Sequence, residues 1–534
     1  MKSPFFTPSC IVLQSIFSSR ITYLFLLYLL LGLLLASCQS DTKLSSENEA
    51  LSQVSGQATM VNVLNLSKLM EKADWESLKN TEGFRNLLEE AHNNNPVLEK
   101  ILLNPAASGL DLEKNAFIAL DQNEQDDPLM AFTFAVKDVA LLEALLREAN
   151  FTVNPASQEI YSYAQPGKKS AIAWNDEVLI IGAVENGDAQ ERLKTYTESL
   201  KKQSAAQIKS LRKALNKGDH DIVQWISADM LLQEGGATEL SKFLGFSEAD
   251  LKENGFIHYL TFEEGLVKSE ASFELSKKIK NDLSILFNKK AKTDFSKLVP
   301  AQQPAIAGTA SLNLNGVNQL LIEKYSQGFA EQALQSFNLS TDQLLKALDG
   351  EMFFGLYPEG DQPQNTGTLL AMTLKDKSAL KNVFEQEATR GNVEKIGDGR
   401  YQLFEFSRNA PKDSLNGESE SFSVVGQILF KNNVVYVSSK ADLLDQIANG
   451  QVGFKNSGQR NFQALTAGQL FALMGDLQAL KVLSGFKSNL VDGFNLSGNL
   501  EEAAAEIHLN NQNQNSLKSL LEAVEKKDTT VIEY

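Results

Sequence analysis

Leu129-Met130-Ala131-Phe132-Thr133-Phe134-Ala135-Val136-Lys137-Asp138 reads as a strand that runs into a helical stretch, Val139 to Ala149. Phe132-Thr133-Phe134 alternates as a half-buried strand does. Leu141, Leu142, Leu145 and Leu146 fall at the three-four spacing of a helix with one apolar stripe. Just upstream, Leu112-Glu113-Lys114-Asn115-Ala116-Phe117-Ile118-Ala119-Leu120 supplies a second strand. The acidic loop Asp121 to Asp127 between the two predicts a hairpin.

The same order of elements returns about 240 residues later, which is how an internal repeat announces itself. Leu348-Asp349-Gly350-Glu351-Met352-Phe353-Phe354-Gly355-Leu356 precedes a polar loop, Tyr357 to Gly367. Leu369-Leu370-Ala371-Met372-Thr373-Leu374-Lys375-Asp376 follows and leads into Lys377 to Glu387. Lys-Asp stands at the strand-to-helix junction both times. Further on, Ile160-Tyr161-Ser162-Tyr163 parallels Tyr401-Gln402-Leu403-Phe404, and Val178-Leu179-Ile180-Ile181 parallels Val434-Val435-Tyr436-Val437. Ile222 to Asp229 matches Gln469 to Asp476. The strand pair Gly255 to Leu275, turning at Glu263-Glu264-Gly265, matches Gly493 to Leu509, turning at Glu501-Glu502. A helix closes each half, Lys277 to Lys289 and Ser516 to Lys527.

Alternation such as Val267, Ser269, Ala271, Phe273 and Leu275 against Lys268, Glu270, Ser272 and Glu274 predicts antiparallel sheet with one covered face. The fold class is therefore α+β: two tandem similar halves, each an antiparallel sheet with helices packed on one face. The expected organisation is a signal peptide over 1–37, a flexible tether over 38–57, a first α+β repeat over 58–296, a linker over 297–305 and a second repeat over 306–534. The linker is placed at Lys297-Leu298-Val299-Pro300-Ala301-Gln302-Gln303-Pro304, where the pattern breaks.

Near the start, Arg20 precedes the apolar run Tyr23 to Leu35, and Leu35-Ala36-Ser37-Cys38 ends it. A basic flank, an apolar core and small residues make an export signal. The core is shorter than the roughly 20 apolar residues that span a bilayer. Leu35, Ala36 and Ser37 resemble a lipobox, with Cys38 as the lipidation site, so cleavage before Cys38 is expected. Acyl chains on Cys38 would anchor the protein through buried methylenes at ~0.8 kcal/mol each. Gln39 at the next position points to the outer membrane of the cell envelope, on either its periplasmic or its surface side. The polar stretch to Gln57 has too little apolar surface to order itself.

The remaining cysteine, Cys10, lies in the signal, so the processed chain has neither free thiol nor disulfide. Such a chain relies on the size of its core. With 67 acidic and 50 basic residues, the net charge of −17 excludes a nucleic acid partner, which requires a basic face.

The lipobox, the segment Thr59-Met60-Val61-Asn62-Val63-Leu64-Asn65-Leu66 leading toward Trp75, and the paired hairpins occurring twice resemble an uncharacterised lipoprotein family of Bacteroidota-type Gram-negative bacteria, domain of unknown function 4836. The resemblance implies an envelope lipoprotein and supplies no catalytic residues.

No nucleophile elbow and no phosphate-cradling glycine loop occurs. His92, His220, His258 and His508 are scattered, none at the i, i+4 spacing of a zinc helix. The Asp121 to Asp127 loop offers alternating oxygens but lacks the glycine and closing glutamate of an EF-hand, so it reads as a solvated hairpin tip. Glu263-Glu264 and Glu501-Glu502 read as turn residues, since neighbours on a strand face opposite ways. Phe84, Phe243, Phe246, Phe329 and Phe337 serve either a core or an apolar groove. No catalytic residue, metal ligand or cofactor is assigned. The expected activity is binding, of an envelope protein or an apolar ligand. An envelope hydrolase with a site assembled from scattered residues, or a structural surface lipoprotein, are the alternatives.

Overall fold

The computed structural model describes residues 51–525 apart from 95, 123–127, 150, 152–159, 228–229, 231–253, 288–290, 326–340, 359–365, 392, 407–421, 454–461, 478 and 480–489. Leu35, Ala36, Ser37 and Cys38 lie outside the described residues. So do Phe243, Phe246, Phe329, Phe337 and most of the Asp121 to Asp127 loop. Two compact units emerge, Met1–Ser276 with Asn511–Thr529 and Lys277–Asn510 with Thr530–Tyr534. Helix and strand are mixed in both, and the strand pairing is antiparallel.

In the first unit, β1 (Ala58–Leu64), β2 (Ala116–Asp121), β3 (Leu129–Ala135), β4 (Ser162–Gly167), β5 (Ser170–Trp174), β6 (Val178–Val184), β7 (Ile222–Ser227), β8 (Gly255–Glu263) and β9 (Leu266–Glu274) form the sheet. Their order is β4-β5-β6-β3-β2-β1-β7-β8-β9. The helices are α1 (Leu66–Ala73), α2 (Trp75–Leu78), α3 (Glu82–Asn94), α4 (Pro96–Leu103), α5 (Val139–Glu148), α6 (Ala189–Leu200) and α7 (Lys209–Leu215). Asp138 starts α5: its carboxylate accepts from the amides of Ala140 and Leu141, satisfying donors that a helix start leaves open. The Lys137 and Asp138 amides donate to the Gly109 carbonyl.

Helices cover both faces of this sheet, which corrects the one-face expectation. Phe132, Phe134, Ile172 and Leu179 pack with Leu142, Leu145 and Leu146 of α5. Ala131, Ala171, Ala173 and Ile180 turn the other way, onto Leu193 and Tyr196 of α6. The uninterrupted run Val178-Leu179-Ile180-Ile181 is what two-sided burial demands. Arg192 of α6 reaches Asp121 at the end of β2, 2.6 Å away, with both side chains buried. Asp221, fully buried, accepts from Lys72 Nζ and from the Phe262 amide.

The second unit contains α8 (Lys277–Ser284), β10 (Ile306–Ser311), α9 (Leu314–Tyr325), α10 (Thr341–Ala347), β11 (Leu348–Tyr357), β12 (Gly367–Leu374), α11 (Lys377–Thr389), β13 (Val393–Gly397), β14 (Arg400–Phe406), β15 (Phe422–Lys431), β16 (Val434–Ser438), α12 (Ala441–Ala448), α13 (Phe462–Thr466), β17 (Phe471–Asp476), β18 (Val491–Gly498) and β19 (Glu502–Leu509). Strand order is β13-β14-β15-β16-β12-β11-β10-β17-β18-β19. Asp376 accepts from the Ala379 amide at the start of α11, and the Lys375 and Asp376 amides donate to the Ala347 carbonyl. Here too helices lie on both faces. Leu429, Val434 and Tyr436 pack with Leu443 and Leu444 of α12, and Ile428, Phe430 and Val435 with Leu380 of α11.

Three boundaries differ from expectation. Residues 51–57, assigned by composition to the tether, carry Leu51 and Val54, both fully buried against Val61, Val63 and Leu211. Two apolar side chains in a polar stretch suffice to dock it. The stretch 297–305 is no linker: Val299 and Ala305 are fully buried, and Val299 packs with Phe295 and Phe353 in the core of the second unit. The closing helices also change places. Lys277–Ser284 belongs to the second unit, where the turn after it bonds Asn313 through the Leu286 carbonyl. Ser516–Glu525, labelled α14, belongs to the first. Its Leu517 enters the core with Leu69 and Phe262, and Lys518 pairs with Asp74 at 2.6 Å.

Candidate binding surface

Strand pairing in the second unit sets residues in straight rows. One row runs Leu370, Phe354, Gly308, Leu473, Leu496 and Ala505 across six strands. The row beside it contains Leu356, Ile306, Gly475, Phe494 and Ile507. On the other side lie Met372, Met352, Ala310, Phe471, Gly498 and Ala503. The alternate residues, Phe353, Ala307 and Met474, point the opposite way into the core. These strands are thus apolar on both faces, although one face is incompletely covered. Phe354 is 41% exposed and Ile507 40%, while Ile306, Met352, Leu473, Phe494 and Leu496 are half-buried. An antiparallel sheet face in water is ordinarily polar.

Glycine shapes this face. A Cβ at Gly498 would stand 2.7 Å from Phe471 Cζ, and one at Gly308 would stand 3.1 Å from Leu473 Cδ1. The rings and the leucine therefore lie down over the bare backbone of the neighbouring strand. The rows carry no charged side chain, and β10, β11, β12, β17 and β18 are each paired on both sides. The face offers dispersion and water exclusion with no directional bond. Met352, half-buried, adds a side chain that adapts to irregular shapes.

The residues singled out in the sequence fall elsewhere. His92 is exposed and pairs with Glu99 at 3.0 Å. His220 packs on Tyr259, ring centroids 4.5 Å apart. His258 on β8 lies 2.7 Å from Ser269 Oγ on β9, and burial holds its imidazole below the ordinary histidine value. This serine–histidine contact spans a hairpin, so no linear motif reveals it. The strand β8 that carries His258 is paired on both sides, with β7 and β9. His508 on β19 belongs to the other unit, beside Asn495 and Glu506. Among the described residues, no three His, Cys, Asp or Glu side chains converge as a metal site, and no helix is long and apolar enough to cross a membrane. Glu263 pairs with Lys268 and Glu501 with Lys280, as turn residues do. Phe84 is core, its ring edge-on to Trp75 at 5.4 Å.

Fold and surface together define a mixed α/β protein of antiparallel sheets with an apolar, half-exposed sheet face. The chain belongs to the DUF4836 family, a domain of unknown function, whose model matches residues 53–347, more than half of its length. No curated protein matches it. Among solved structures, crystal form I of TP0453 is 11% identical, with a TM-score of 0.27 over 45% of this chain and 88% of its own. Crystal form III of TP0453 is 13% identical, with a TM-score of 0.27 over 46% of this chain and 90% of its own.

Proposed function

We propose that the chain is a lipid-anchored cell-envelope protein, held in the outer membrane through Cys38, whose second unit binds the acyl chain of a lipid. The observation that carries the binding reading is the row Leu370, Phe354, Gly308, Leu473, Leu496 and Ala505. It spans six strands without a charge, and Phe354 stands 41% exposed in it. Protein interfaces combine an apolar centre with a hydrogen-bonding rim. An acyl chain needs methylene contact alone, which is what this face supplies.

The proposal includes two similar halves. Supporting it, both units place their first strand, β1 or β10, between the next strand in the chain, reached through helices, and a strand from later in the unit. Asp138 and Asp376 cap equivalent helices, and Phe117 and Phe353 are both fully buried.

The test uses the purified full chain and a fluorescent sixteen-carbon fatty acid, displaced by unlabelled palmitate. Binding should weaken at least tenfold, about 1.4 kcal/mol, in Phe354→Glu and Leu473→Glu. It should be unchanged in Leu141→Glu, an exposed apolar position on α5 of the first unit. No binding by the wild type, or equal binding by all three variants, refutes the acyl reading. Co-purification of a stoichiometric protein lost in Phe354→Glu would replace lipid by a protein partner. The anchor is tested separately by metabolic fatty-acid labelling, expected in the wild type and absent in Cys38→Ala.

A further inference from the structure

On the β18-β19 hairpin, three polar side chains share one face. Asn495 Nδ2 lies 3.2 Å from Glu506 Oε2 and 3.1 Å from His508 Nε2, and the latter two atoms are 3.6 Å apart. Glu506 and His508 are two residues apart on one strand and therefore point the same way, and Asn495 faces them across the hairpin. In the tautomer that leaves Nε2 unprotonated, His508 directs a lone pair toward the triangle. Asn495 is 92% buried, and its Oδ1 is sequestered from solvent with no hydrogen-bond partner. Half a turn of that amide brings Oδ1 to the corner that Nδ2 now occupies, where a cation would be its partner.

We propose that Glu506, His508 and Asn495 form a binding site for a divalent first-row transition cation such as zinc(II). The ligand set is one imidazole nitrogen, one carboxylate oxygen and one amide oxygen. The point equidistant from the three corners lies about 1.9 Å from each. A cation less than about 1 Å out of their plane then meets all three at the ~2.0–2.2 Å of zinc–nitrogen and zinc–oxygen bonds. Three protein ligands leave a further coordination position open, as in sites that keep a water or take a ligand. The His508 side chain is 13% exposed and that of Glu506 41%, so solvent reaches the carboxylate side. Paired strands hold the corners in register, which favours binding without rearrangement of the backbone.

The test is titration calorimetry of the metal-free full chain with zinc chloride, followed by cobalt(II) substitution and its visible absorption. One site per chain is expected, with a cobalt spectrum of low coordination number. His508→Ala and Glu506→Gln should each weaken zinc at least tenfold. His92→Ala and His258→Ala, histidines outside the triangle, should leave it unchanged. Far-ultraviolet circular dichroism establishes that each variant is folded, and Glu506→Gln, isosteric with the native residue, serves if His508→Ala is not. Absence of binding at millimolar zinc, or binding that survives both His508→Ala and Glu506→Gln, overturns the proposal.

Discussion

The ring of Phe494 lies across Gly475 on the neighbouring strand, so closely that a side chain at position 475 would overlap it. Phe471 and Gly498 repeat the arrangement four residue pairs along the same two strands. Each aromatic ring thus covers the backbone of the adjacent strand instead of standing up from its own, and the face stays flat.

Gly475→Ala should force the Phe494 ring off this backbone and destabilise the protein by about 1–3 kcal/mol, the usual cost of overpacking. Gly83→Ala is the contrast, because a Cβ there meets nothing within 4 Å. It should stabilise by about 0.4–1 kcal/mol through loss of unfolded-state freedom. Urea denaturation midpoints at constant slope separate the two, and equal midpoints would contradict the ring contact.

Arg192 and Asp121 are both buried and joined at 2.6 Å. Arg192→Met leaves a carboxylate without its partner and should cost about 3–5 kcal/mol. The double variant with Asp121→Asn should recover part of that loss. A double-mutant cycle measures the coupling, and strict additivity would show that the two charges act independently.

The pH dependence follows from His258. Its native pKa lies below the ordinary 6.5 because the ring is buried. Above pH 6.5 the ring is neutral in both states and stability is fully present. As the pH falls below about 6.5, the unfolded chain takes up the proton first. Stability then declines until the native ring also titrates. His258→Gln should flatten this part of the curve, read from unfolding midpoints between pH 7.5 and 5. His220, also depressed chiefly by burial, contributes in the same direction and should remain in the variant.

Asp138→Ala and Asp376→Ala should each cost about 0.5–2 kcal/mol, because each removes a carboxylate that caps a helix start. Asn at either position should restore most of the stability. Failure of Asn to rescue would assign the loss to something other than the cap.

The sequence made the strand-to-helix junctions at Asp138 and Asp376 readable because local signals meet there: an alternating strand, a capping residue and an apolar stripe. The hairpins β2-β3 and β11-β12 were readable for the same reason. Two-sided burial was harder. Its sign, Val178-Leu179-Ile180-Ile181, also fits a strand with one covered face when adjacent alternating strands set the reading. The docking of Leu51 and Val54 was hidden because composition averages over two anchoring side chains. The apolar face required register: Phe354, Leu473 and Leu496 become neighbours only once three ladders are fixed. The Asn495, Glu506 and His508 cluster has the same origin, since one corner comes from each side of a turn or from a residue two positions on.

Because Leu517 completes an interior that begins at Leu64, that interior closes only after the residues of the second unit have been made. A ribosome delivers the chain in one direction, so the first sheet emerges with a seat still vacant until α14 arrives. A chain released short of Ser516 would keep the first interior open to water.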